Sequence, residues 1–332
     1  MIKAASPRVA LPVDGSTIRH LLKASALFFA LSAPFVSMNA LAVDAVASAT
    51  AQQKQITWKT VPTRTISAGG IDFAYRELGQ HNGGTPVVLL THLAAVLDNW
   101  DPRVVDGFAA KHHVIAFDNR GIGASTGTPA NSMEQMAADA ITFIKAKGYK
   151  QVDLFGFSMG GMIAQEIVLK EPQLVRKMIL TGTGPAGGEG ISTVAGVANY
   201  DLIRASLTGQ DPKQYLFFTR TPNGISAGKD FLARLNERSE NRDKEISVAA
   251  YVAQLQALSA WGQKKPADLS VVRQPVRVAN GDEDRMVPTP NSHDLVRRLP
   301  NASLAIYPDA GHGGVFQFHA AFVPLALEFL AR

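Results

Sequence analysis

The chain predicts an α/β fold: a mostly parallel eight-stranded sheet flanked by helices, with a helical cap inserted late in the sheet. Two patterns carry that expectation. Short runs of β-branched and other apolar residues, bounded by Gly, Pro or Asp, alternate with amphipathic stretches, and strands that are apolar almost throughout belong to parallel sheets covered on both faces. The alternation stops over 185–265, where no strand signal occurs, and this marks an inserted helical subdomain. Composition agrees. With 332 residues, 46% of them apolar and 18% charged, the chain can bury a large core, which excludes extended disorder and collagen-like or coiled-coil architectures. The absence of cysteine excludes a disulfide framework, a thiolate metal site and a cysteine nucleophile.

Taken in order, residues 1–42 read as a signal peptide. Arg19, His20 and Lys23 precede an uncharged stretch, ASALFFALSAPFVSM, that is too short to span a bilayer and is broken by Pro34. Ala40-Leu41-Ala42 then supplies a small-x-small cleavage site. The expected location is exported, periplasmic or secreted, with no stable membrane insertion after cleavage; a retained N-terminal anchor is the competing reading. An Ala/Ser/Gln linker, 43–55, has no periodicity, and the N-terminal part of the core runs over 56–184. Strands at 63–67 and 71–77 form a hairpin around Ala68-Gly69-Gly70. Further strands are expected at 86–91 (PVVLLT), 113–117 (HVIAF), 152–157 (VDLFGF) and 177–180 (KMIL), with helices at about 101–110, 132–147 and 159–170. Ser132 with Gln135 makes a capping box for the second of these helices. The cap, 185–265, opens on a Gly-rich stretch and includes a helix over 247–261 with Tyr251, Leu255 and Leu258 on one face. The core resumes over 266–332, with strands at 276–279 and 303–307 and helices at 291–299 and 318–330.

Charge argues against a nucleic-acid partner. Lys3, Arg8, Arg19 and Lys23 against Asp14 give the leader +3 of the total +5, so the body is nearly neutral, and it carries no basic run with interleaved aromatics.

Gly-x-Ser-x-Gly occurs twice, at Gly123–Gly127 and Gly156–Gly160, and context separates the two. Ser158 follows the strand VDLFGF and precedes the helical run MIAQEIVLK, a strand, sharp turn and helix that lift a serine Oγ into a cleft at a helix N-terminus. Ser125 lies in a Gly/Thr/Pro loop and reads as structural. A serine nucleophile needs a base oriented by a carboxylate. Among the eight histidines, His20 is in the leader, His81 in a turn, His112 and His113 at a strand start, and His293 and His319 on helices facing solvent. His312, in DAGHGG, leaves the carboxyl end of the last strand, the edge where ligands bind in open α/β sheets. For the acid, NGDEDR offers Asp284 and Asp282, and spacing alone does not choose between them.

The segments THLAAVLDNWDP, FDNRGIGAST, LFGFSMGGMIAQE, NGDEDRMVP and DAGHGGVFQ together resemble the α/β-hydrolase superfamily, and within it the branch of cofactor-free haloperoxidase-like esterases and enol-lactone hydrolases. The resemblance implies the α/β-hydrolase fold and a serine hydrolase acting on a carboxylic ester or lactone, with no metal and no organic cofactor. It maps the nucleophile to Ser158, the base to His312 and the acid to Asp284. It assigns one oxyanion-hole amide to Met159. The second falls to Ala94 by alignment with the family's His-Gly-x segment, with Leu93 open because His92 is followed here by Leu93 instead of Gly. His92 then reads as a loop-packing residue, and Asp118 and Arg120 as structural. Carbon–carbon bond hydrolysis or perhydrolysis by the same triad, and a non-catalytic ligand-binding homologue, are the alternatives. The cap's Tyr200, Tyr215, Phe217, Phe218, Phe231, Tyr251, Leu255 and Trp261 imply that most pack the cap on the body while the rest line an apolar pocket for a small neutral substrate.

Overall fold

A computed structural model describes residues 56–332; the expected signal peptide and linker lie outside the described residues. Eight strands, β1 (Arg64–Ala68), β2 (Ile71–Leu78), β3 (Val87–Leu90), β4 (Val114–Phe117), β5 (Val152–Phe157), β6 (Val175–Thr181), β7 (Val276–Gly281) and β8 (Ala302–Tyr307), form one sheet in the order β1-β2-β4-β3-β5-β6-β7-β8. β1 and β2 pair antiparallel through the expected hairpin, and β2 pairs antiparallel with β4. Every other pairing is parallel.

The helices α1 (Pro102–Ala109), α2 (Met133–Ala146), α3 (Met159–Lys170), α8 (Pro290–Arg298), a single turn α9 (Gly314–Gln317) and α10 (His319–Ala331) flank the sheet. They divide the core in two. One cluster packs α2, α3 and α8 against one face; the other packs α1 and α10 against the opposite face, with Phe108, Phe155 and Phe322 at its centre. Because β5 is buried along its whole length, each of its large side chains contributes roughly 1.5–3 kcal/mol of burial, and the centre of the sheet is fixed most firmly where Ser158 follows. The Ser132 cap forms, accepting from the Gln135 amide at 3.2 Å.

Between β6 and β7 the chain leaves the sheet for four helices, α4 (Val194–Thr208), α5 (Pro212–Phe217), α6 (Pro222–Leu235) and α7 (Val248–Gln263). These occupy the expected cap segment. Ion pairs help to hold them down. Arg234 forks onto the wholly buried Asp101 at the start of α1, with a shortest approach of 2.7 Å, and the wholly buried Arg76 of β2 bridges Asp98 at 2.7 Å and Asp243 at 2.8 Å.

Candidate active site

The carboxyl ends of β5, β7 and β8 meet under the cap. Ser158 is the single residue between β5 and α3, and it sits at φ 57°, ψ −119°, which non-glycine residues seldom adopt. Its flanking glycines are dictated by crowding. A Cβ on Gly160 would lie 1.9 Å from the Leu90 carbonyl oxygen, and one on Gly156 would lie 2.5 Å from the Gly160 carbonyl oxygen. Only Gly permits the strand and helix to close on each other so tightly, and that closure exposes Ser158. Ser125 is different. Its Oγ donates to the Asp118 carbonyl at 2.7 Å and accepts from the Ala74 amide at 2.9 Å, so it is spent on holding a loop to β2.

Asp284 and His312 face each other. The His312 Nδ1–H donates to Asp284 Oδ2 at 2.8 Å with both side chains almost wholly buried, which leaves Nε2 without a partner among the described residues. Asp284 Oδ1 accepts from the amides of Met286 at 2.8 Å and Val287 at 3.0 Å, so the carboxylate is oriented before it meets the imidazole. Asp282 is exposed and plays a different part, accepting the Ala310 amide at 3.2 Å and so tying down the loop that carries His312. The imidazole packs on Phe157, with ring centres 5.0 Å apart, and on Phe217 at 5.5 Å. No hydrogen bond joins the Ser158 hydroxyl to His312 in this arrangement, but both line one cavity of about 120 Å³ together with His92, Leu93, Leu202, Leu216, Tyr251 and Met286.

One expectation needs correction. Ala94, the second amide suggested by alignment, donates its N–H to Gln254 Oε1 of α7 at 2.7 Å and is not free to meet a ligand. Its φ of 62° is the other non-glycine outlier beside the pocket. Leu93 is the residue whose amide has no acceptor among the described residues, as is Met159 at the open first turn of α3.

His92 packs as expected, edge-on to Phe157 at 5.4 Å and Phe217 at 5.1 Å, with Nδ1–H donating to the Leu93 carbonyl at 2.7 Å. Burial first, and the charge of Lys213 second, push its pKa down to about 3, so it stays neutral. Arg120 turns away from the pocket onto Asp139 through Nε at 2.9 Å. Asp118 is wholly buried and accepts the Leu97 amide at 3.0 Å; burial, and then the charge of Asp243, hold its carboxyl well above the usual range. His113 is buried against Glu77 at 3.0 Å, and His319 is half-buried where solvent exposure was expected. Of the eight apolar cap residues singled out, Phe217 and Tyr251 line the cavity, Phe218, Phe231 and Trp261 are buried in the cores, and Tyr200 is 60% exposed. Lys213 and Gln254 were invisible in the sequence, because only cap docking places them here.

A strained serine on a strand-to-helix turn, an imidazole held by a buried carboxylate, and two free amides, one at a helix N-terminus and one on the loop after β3, define the α/β-hydrolase class of site. The sequence profile of the α/β hydrolase fold matches residues 85–318, and the chain belongs to that family. A solved α/β hydrolase fold protein from Chitinophaga pinensis superposes with a TM-score of 0.78 and is 36% identical, covering 83% of this chain and 99% of its own. BpoC of Mycobacterium tuberculosis, named provisionally as a non-heme bromoperoxidase, is 26% identical over 278 residues, which is 79% of this chain and 98% of that protein. A 2-hydroxy-6-oxononadienedioate/2-hydroxy-6-oxononatrienedioate hydrolase from a Pseudomonas species is 26% identical over 281 residues, 80% of this chain and 95% of that one.

Proposed function

We propose that the protein is a serine hydrolase that cleaves a carboxylic ester or lactone through an acyl-enzyme. The observation that supports this most is the strained Ser158 sharing one cavity with a His312 whose Nδ1 is fixed 2.8 Å from Asp284. In this reading Ser158 Oγ attacks the acyl carbon while His312 Nε2 takes its proton. The imidazolium, stabilised by Asp284, returns that proton to the departing alkoxide, and water repeats the sequence to release the acid. Met159 and Leu93 offer their amides to the oxyanion, each worth roughly 3 kcal/mol in the transition state, and the N-terminus of α3 adds its dipole. The cavity wall is largely apolar, which suits an apolar chain on the substrate. Carbon–carbon bond hydrolysis, the reaction class suggested by the Pseudomonas relative's name, and perhydrolysis would use the same groups. The folded body is read as exported, the leader being removed near Val43.

A fluorophosphonate probe together with a panel of esters graded by acyl length tests the reading. Labelling and turnover are expected in the parent protein and not in Ser158→Ala, whereas Ser125→Ala keeps most of both. Equal losses from the two serines would overturn it.

A further inference from the structure

The cavity wall holds one permanently charged side chain among the described residues, Lys213, the second residue of α5. Its surroundings are unusual for a surface lysine. The side chain is 22% exposed, and its nearest carboxylate, Asp211, stands 3.6 Å away, beyond hydrogen-bond distance. That same Asp211 oxygen is already committed, accepting the Lys213 backbone amide at 2.8 Å to cap the helix. The ammonium makes no hydrogen bond among the described residues, and Lys213 shares the cavity wall with Leu202, Leu216 and Phe217. Its field also reaches the floor of the cavity, since it helps to hold His92 neutral.

We propose that Lys213 makes this cavity selective for substrates whose apolar chain ends in a carboxylate, so that the ester or lactone group lies at Ser158 and the anionic end at Lys213. The proposal rests on the hydrolase reading above and names its substrate class. The physical reason is a desolvation balance. A neutral chain filling the cavity strips water from an ammonium whose one carboxylate neighbour, Asp211, stands beyond hydrogen-bond distance, whereas a substrate carboxylate supplies a charge-assisted hydrogen bond in place of that water. Specificity by chain length follows from the fixed geometry: a neutral chain gains about 0.8 kcal/mol for each buried methylene, but a carboxylate gains only at the length that lets it reach Nζ.

The test reads binding, so it does not depend on turnover. With Ser158→Ala protein, calorimetry compares monomethyl esters of the four- to eight-carbon dicarboxylic acids with methyl esters of the matching monocarboxylic acids. One dicarboxylate monoester is expected to bind about tenfold more tightly than its neutral counterpart, the size of one hydrogen bond to a charged group. That ratio should fall towards one in Ser158→Ala/Lys213→Met and shrink in high salt. A ratio of one at every length, a ratio that survives Lys213→Met, or no binding of either series would overturn the proposal. Selective binding of the anion by the Ser158→Ala protein, with no hydrolysis of either ester by the parent, would uphold the anion subsite and overturn the esterase reading instead.

Discussion

The peptide between Leu93 and Ala94 is clamped at both ends. Its carbonyl accepts from His92 Nδ1 at 2.7 Å and its N–H donates to Gln254 Oε1 at 2.7 Å, so a cap helix helps to set the orientation of Leu93, the proposed oxyanion donor. Gln254 is thereby a positioning residue, and Gln254→Met, which keeps volume and removes the acceptor, tests it. The substitution orphans a partly buried amide, at a cost of about 1 kcal/mol, the low end for an unpaired amide. Nothing then offsets the roughly 1–2 kcal/mol that Ala94 stores at φ 62°, and the loop relaxes. Since a displacement on the order of 1 Å at an oxyanion donor costs up to about a hundredfold in rate, kcat for a p-nitrophenyl ester should fall ten- to hundredfold while KM moves little. Gln254→Glu should restore most of it. A glutamate presents an acceptor oxygen in either protonation state, and the Nε2 it lacks has no partner among the described residues of the parent. A Gln254→Met enzyme with unchanged kcat, or a Glu variant as poor as the Met variant, would refute the clamp; a general loss of folding would instead lower the melting temperature of both.

Three further outcomes are expected. Asp284→Asn should lower kcat by about four orders of magnitude through loss of imidazole orientation, whereas Asp282→Asn, whose amide oxygen can still accept from Ala310, should cost less than tenfold; a reversed ranking in steady-state kinetics would move the acid to Asp282. Burial, opposed by Arg76 and reinforced by Asp98, raises the Asp243 pKa from 3.8 to about 6, so the stability this group contributes is complete below 3.8 and lost as pH rises through 6. Urea melts from pH 4 to 7 should therefore show the parent losing stability relative to Asp243→Asn, and a constant difference would contradict the assignment. Mature protein from the exporting cell should begin near Val43 by N-terminal sequencing, and a chain that retains Phe28 and Phe29 would refute cleavage.

What was legible in the sequence is what neighbours in the chain decide. The strands were readable because β3, β4 and β5 are buried on both faces and so are apolar almost throughout, Asp153 of β5 being the exception, and Ser158 was separable from Ser125 because the turn that strains it is built from its own flanking glycines. Asp284 and Asp282 were not separable. Their difference lies in which amides each carboxylate meets: Met286 and Val287 for one, Ala310 for the other. The choice between Leu93 and Ala94 depended on Gln254, 160 residues away. An apolar stripe on a cap helix could not disclose its target either, because cap helices have two buried faces, one toward the core and one toward the cavity.

The cap is part of the site's framework as much as its cover. The Phe217 carbonyl at the end of α5 accepts from the Gly313 amide at 2.8 Å, and a Cβ on Gly311 would lie 2.7 Å from that same oxygen. The glycines around His312 are thus required by the approach of a cap helix as well as by a turn. On the α6 side the cap is also fixed by Arg234 on Asp101, a buried pair whose rupture typically costs about 3–5 kcal/mol. Swinging the whole cap away would break this pair, the Gly313–Phe217 bond and the Gln254 clamp together, and with them the positions of His312 and Leu93. Substrate passage that leaves the chemistry assembled must therefore spare all three of these bonds.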